Sequence, residues 1–194
     1  MGGSTLVLIL VENLFYKMRK LFFVILLPFF SFSQKMFVDN SHVDFFSAAP
    51  LEDISAISNK LEGVVDFSTG NFFFRIPISS FIFPSSLMQK HFNEKYMESD
   101  IYSISSFQGN FSDSISLIEN KKILISSKGE LSVHGIDQDV AIQTELIIED
   151  SQVQFSSEFY IALKDYKIKV PKIVRMNIAD TILVNVSGNL VNKN

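Results

Sequence analysis

The sequence predicts an all-β protein: a closed antiparallel barrel of about eight strands with one or two short helices. Three observations carry this. Apolar residues past Gln34 recur with a period of two, turn-forming clusters separate the alternating runs, and the runs are too numerous for an open sheet with two bare edges. Closure is the economical solution.

The series opens with a run at about 38–47, followed by one at 61–68. Ser68-Thr69-Gly70-Asn71 supplies hairpin chemistry and leads into 71–80, where Phe72, Phe74, Ile76 and Ile78 share a face opposite Phe73, Arg75 and Pro77. Runs at 102–112 and 114–126 come next, and Ser127-Lys128-Gly129 reads as the turn into 129–136, where Leu131 and Val133 alternate with Ser132 and His134. Over 138–149, Val140, Ile142, Thr144, Leu146 and Ile148 oppose Ala141, Gln143, Glu145 and Ile147. Glu149-Asp150-Ser151 turns the chain into 151–163, carrying Val153, Phe155, Phe159, Ile161 and Leu163. A ninth run, 180–190, sets Ile182, Val184, Val186 and Leu190 against Asn185, Ser187 and Asn189. One stretch changes period: Ser86–Met97 begins with a Ser86-x-x-Gln89 capping box and places Met88, Phe92 and Tyr96 four residues apart, as on one face of a helix. Pro50–Lys60, with Glu52 and Asp53 early and Ile54, Ile57 and Leu61 at helical spacing, reads as a second, weaker helix.

The N-terminus reads as a targeting segment outside the fold. Met18-Arg19-Lys20 is followed by thirteen residues, Leu21 to Ser33, that are apolar apart from two serines, and Ser31 and Ser33 occupy the −3 and −1 positions for a cut before Gln34. That run is shorter than the ~20 residues a membrane helix needs, and Pro28 interrupts it. The expectation is a leader and secretory signal peptide over residues 1–33, with Met18 as the true start, and a barrel domain over 34–194. A periplasmic or secreted protein with no stable membrane span after cleavage follows.

Composition narrows the chemistry. The chain has 194 residues and no cysteine, so disulfides, thiolate metal centres and thiol nucleophiles are excluded. A net charge of −4, which becomes −6 after Ser33 with 14 basic and 20 acidic side chains, argues against nucleic-acid binding. The sequence holds no G-x-S-x-G, G-x-G-x-x-G, P-loop, H-E-x-x-H or EF-hand pattern, so no catalytic set is assigned and no cofactor is expected.

The remaining polar features each have a plain structural explanation. On a helix, His91, Glu94 and Glu98 fall on one face and offer three donors to a metal, but nothing elsewhere completes the set; a polar face bonded to neighbouring loops is the preferred reading. His134, at a strand end before Gly135, reads as a turn residue whose ring bonds a backbone carbonyl, and His42 carries less signal still. Lys164, Lys167, Lys169, Lys172 and Arg175 form a local basic run, with Lys167 and Lys169 alternating against Ile168 and Val170 as in an exposed edge strand; the functional alternative is a cradle for an anionic headgroup or membrane surface.

Taken in order, several weak motifs resemble the YceI-like, lipid- and polyisoprenoid-binding family, in the short form found in Bacteroidetes-type bacteria. Val43 to Glu52 is similar to the family's first strand and following segment, Leu61-Glu62-Gly63-Val64-Val65-Asp66 leading into Phe72–Phe81 to its glycine-containing hairpin and the strand ending in a Ser-Phe pair, and Leu87 to Asp100, with Met88 to Asn93, to its short forms. Phe107-Gln108-Gly109 resembles the Phe-x-Gly strand, Leu131–Ile136 the Leu-x-Val-His-Gly block, and Asp165-Tyr166-Lys167-Ile168 the Asp-aromatic-x-Ile block. The sequence departs from the pattern at Tyr102-Ser103, where Tyr-Pro is usual, and at Asp137-Gln138-Asp139, where a basic residue often follows.

The resemblance implies a lipocalin-like exported barrel that holds an isoprenoid-type amphiphile, a polyprenyl lipid or quinone, in its lumen. Phe72, Phe74, Ile76, Phe107, Phe155, Phe159, Val184 and Val186 are expected to face that lumen, with Met88 and Phe92 covering one end. The competing readings are a filled barrel serving as an interaction or adhesion module, and a metal-assisted hydrolase using His91 and Glu94.

Overall fold

Period-two alternation becomes antiparallel sheet along most of the chain after Gln34. The computed structural model describes residues 35–118, 120–150 and 152–192; the expected leader and signal peptide lie outside the described residues. The strands are β1 (Lys35–Ala48), β2 (Asp53–Ser58), β3 (Glu62–Asp66), β4 (Asn71–Pro77), β5 (Ile104–Asn110), β6 (Lys121–Val133), β7 (Ile136–Glu149), β8 (Gln152–Ala162) and β9 (Thr181–Val191). Each from β3 onward pairs with the next, and β9 returns to β1, closing a lipocalin-like barrel.

Nine strand segments fill eight positions in this ring. β2 lies against Val43–Ala48 and β3 against Lys35–Phe37, both on the edge of β1 opposite β9. A register shift between Asp39 and His42, where Asn40 takes a left-handed φ of 48°, bends β1 so that one strand serves both partners and the closure.

Several expected elements are corrected. The segment 50–60 is not a helix but contains β2: Ala56 and Ser58 are buried at alternate positions, while Ile57 bridges to Ile82. Pairing with β1 outweighs a helical spacing that only three apolar residues support. The runs 114–126 and 129–136 are not two strands, because Ser127-Lys128-Gly129 lies inside β6 and residues 111–118 form no strand. Gly129 sits opposite Gly109 of β5, and the missing side chains let the two backbones approach closely. A Cβ on Gly129 would fall 2.0 Å from the Gln108 carbonyl oxygen. The edge strand suggested by Lys167 and Lys169 is absent too: the chain forms a 3-10 turn over Leu163–Tyr166, Lys167 adopts a φ of 55°, and Ile168 is buried.

The helix α1 spans Ser86–His91 and continues as a π turn over Phe92–Tyr96. Its cap is Ser85 rather than Ser86: the Ser85 hydroxyl accepts from the Met88 amide at 3.4 Å, and Gln89 instead takes the Phe83 amide through its side-chain oxygen. The barrel's two ends differ. At the end holding the β3–β4 and β7–β8 turns, Met36, Ile148 and Val153 are at most 2% exposed, and Phe67 meets Phe111 with ring centres 5.9 Å apart. At the other end lie α1, the β1–β2 and β6–β7 turns and the long β8–β9 connection.

Gly129→Ala forces two paired backbones apart and should cost about 3 kcal/mol, read as a lower urea midpoint at unchanged slope. In the β3–β4 turn the Asp66 carboxylate accepts from the Ser68 hydroxyl and amide, and chiefly the hydroxyl bond holds its pKa below the ordinary 3.8. A carboxyl depressed by folding stabilises the fold above pH 3.8 and loses that contribution as pH falls through the lower folded value. Asp66→Asn should therefore flatten the acid limb of the stability profile below pH 3.8 while leaving its alkaline limb unchanged.

Candidate ligand-binding cavity

Alternation along each strand sends one set of side chains inward, and at this ring size they need not meet across the middle. They enclose a cavity of about 470 Å³. Phe72, Phe74 and Ile76 project from β4, Phe107 from β5, Phe155 and Phe159 from β8, and Val184 and Val186 from β9; Met88 and Phe92 approach from α1 and its π turn. All ten residues singled out from the sequence thus lie on the wall of one cavity. Phe72 packs on Phe107 with ring centres 4.8 Å apart, and Phe74 on Phe155 at 5.8 Å. Near α1, Phe92 stacks on Phe45 at 5.5 Å and meets Phe83 at 4.9 Å.

Several lining residues were not singled out. Phe45 was readable from the alternation of Val43 and Phe45 along β1. Ile54 was hidden by the helical reading of its segment, and Phe81 and Phe83 turn inward beside Ile82, which pairs outside the strands with Ile57. Val174, Asn177 and Ile178, from the β8–β9 connection, carry no periodic signal; a long-range fold places them.

Polar groups on the wall are sparse. Thr144 and Ser157 share a hydroxyl–hydroxyl bond of 2.9 Å across β7 and β8, and the buried Ser105 hydroxyl has no partner among the described residues. Glu52, His91 and Asn177 border the end that carries the loops, where the Asn177 amide donates to Glu52 at 3.3 Å. Burial raises the pKa of Tyr96, and that of Tyr166 as well, with the Asp165 carboxylate adding to the latter. The cavity therefore offers dispersion and apolar contact along most of its length, with isolated hydroxyls between.

His134 and His42 are engaged in architecture, whereas His91 lies on the cavity wall. His134 takes a left-handed φ of 53° at the β6–β7 turn, so its ring reaches back: Nδ1 lies 3.1 Å from the Tyr166 carbonyl and Nε2 lies 3.0 Å from a Glu98 carboxylate oxygen. One side chain thereby ties the turn, the β8–β9 connection and the segment after α1 together. Glu94 lies 4.0 Å from Lys90, one turn back along the chain, and among the described residues no group of three potential ligands could hold a metal. His42 bonds Asn59 at 3.0 Å on the outer wall.

Comparison with known proteins gives the barrel a place. No curated protein matches the sequence. By structure the chain is similar to a polyisoprenoid binding domain from Saccharophagus degradans implicated in plant cell wall breakdown, with 13% identity, a TM-score of 0.70, and 83% of this chain and 99% of that one covered. It is also similar to Burkholderia cenocepacia BcnA, at 14% identity and a TM-score of 0.67, covering 80% and 99%. The Campylobacter jejuni YCEI protein superposes with a TM-score of 0.55 at 17% identity, covering 71% and 84%. At such identities the common property is the fold. The sequence matches the YceI-like domain over residues 37–190, from the third residue of β1 nearly to the end of β9, and the protein belongs to that family.

Proposed function

We propose that the protein is an exported binding protein, periplasmic or secreted, that holds an isoprenoid-type amphiphilic lipid, a polyprenyl or quinone, in its barrel lumen. The observation that carries this reading is the apolar cavity of about 470 Å³, within the range of volumes typical of small-molecule sites. Its wall is built mainly from Phe, Ile, Val, Leu and Met on all nine strands, the helix and the connections, with few hydroxyls between them. A branched hydrocarbon chain matches such a wall, and a polar headgroup finds Glu52, His91 and Asn177 at the loop end. Membership of the YceI-like family and the fold shared with a polyisoprenoid binding domain point the same way. The reading is one of binding rather than catalysis, supported by His134 and Glu98 bonding to each other and by Glu94 lying beside Lys90. A filled barrel acting as an adhesion module would leave no comparable volume at its centre.

Affinity should come from length of apolar contact. Each methylene equivalent buried contributes about 0.8 kcal/mol, roughly a fourfold gain, so a series of quinones with successively longer prenyl tails should bind more tightly until the lumen is full and then level off. Val184→Trp, which fills part of the cavity, should weaken binding at least about tenfold while preserving the urea midpoint. Phe74→Arg should abolish it by placing a charge in an apolar enclosure. Titration of the purified protein with the quinone series checks both. Binding independent of tail length, or unchanged in both variants, would contradict a lumenal site.

A further inference from the structure

The β8–β9 connection gathers exposed apolar surface and positive charge that the barrel itself does not use. Residues 169–176, Lys169-Val170-Pro171-Lys172-Ile173-Val174-Arg175-Met176, contain three cations and no carboxylate; the rest of the chain after Ser33 has 11 cations against 20 carboxylates. Lys169, Lys172 and Arg175 are exposed, and none is paired with a described carboxylate. Between them stand Ile173, 90% exposed, and Met176, 52% exposed. Leu51 of the β1–β2 turn, 69% exposed, is bound to this strip by its amide, which donates to the Met176 carbonyl at 2.9 Å. Glu52 alongside is held by Asn177, and Asp53 is the next carboxylate along the chain.

Position gives the strip its meaning. Val174, Asn177 and Ile178, in and just after the strip, line the cavity, so the exposed tips stand at the cavity's rim. Large aliphatic side chains left in water forgo the gain their burial would bring, and apolar tips interleaved with Lys and Arg form the composition that seats at the boundary of an anionic bilayer. The acidic remainder of the surface is repelled by such a membrane, which orients the molecule rim first.

We propose that Leu51, Ile173 and Met176, together with Lys169, Lys172 and Arg175, form a docking rim that seats the mouth of the barrel on an anionic phospholipid bilayer. The apolar tips enter the interfacial layer while the cations meet lipid phosphates. Cargo then passes between bilayer and lumen without crossing water; that last step rests on the carrier reading above, whereas the seating does not.

The protein has no tryptophan, so a single introduced indole reports the environment of the rim. Ile173→Trp should show blue-shifted emission, and quenching by brominated acyl chains, on vesicles of phosphatidylcholine with about one third phosphatidylglycerol, and neither on phosphatidylcholine alone. Leu124→Trp, on the outer wall of β6, should show neither on either vesicle. Replacing Lys172 and Arg175 together by Gln should lower partitioning on the order of 25-fold, about fivefold per charge. A silent Ile173→Trp reporter, an equal response from Leu124→Trp, or unchanged partitioning of the Gln variant would overturn the docking rim, the first of these leaving a protein as the partner of this surface. Organic extraction of the same preparations separates the two ideas. Protein that docks but never carries lipid removes the carrier reading and leaves the rim standing, whereas loaded protein that ignores vesicles removes the rim alone.

Discussion

Closure of the sheet through the pairing of β1 with β9 is the constraint on which the rest of the structure depends. It closes the ring from β3 to β9 through β1, gives each strand an inside and an outside, and turns alternation into an enclosure. The closure requires β1 to pair with β9 from Phe37 to Phe46 on one edge while meeting β3 and then β2 on the other. The register shift at Asp39–His42 supplies the bend, and Asn40 tolerates the left-handed conformation that the bend demands.

From that closure follows the difference between the ends. Phe67, Phe72, Phe111 and Phe155 pack with Met36, Ile148 and Val153 at the end of the β3–β4 and β7–β8 turns, and the four phenylalanines also wall that end of the cavity. Toward the loop end the inward residues belong to smaller clusters gathered around Phe45, Phe81 and Phe92 on one side and Tyr166 and Ile168 on the other. Residues of all three clusters line the cavity. His134 helps to hold the loop end together through contacts of both its ring nitrogens, which explains a histidine beside a glycine at a tight turn without invoking chemistry.

Much of this was legible in the residues because a period of two fixes faces once register is right. Phe72, Phe74 and Ile76 against Phe73 and Arg75 could be read without a structure, and all three line the cavity. What misled were places where tertiary partners outweigh local signal. The Ile54, Ile57 and Leu61 spacing imitates a helix until β1 offers a pairing edge, and Ser127-Lys128-Gly129 imitates a turn until Gly109 is found opposite Gly129. The rim was the least legible part: Val174, Asn177 and Ile178 reach the cavity through a long irregular connection, held by bonds such as that from the Ala179 amide to the Ser47 hydroxyl at 2.9 Å, between residues far apart in sequence.

The central claim is that the lumen is hollow because it carries a lipid. Native mass spectrometry of the protein isolated from its own cells, followed by organic extraction and identification of the extract, tests this most directly. The account predicts a stoichiometric added mass that extraction releases as a prenyl-chain amphiphile. Protein that shows only the mass of its polypeptide, and that fails to take up prenyl quinones offered afterwards, would contradict it.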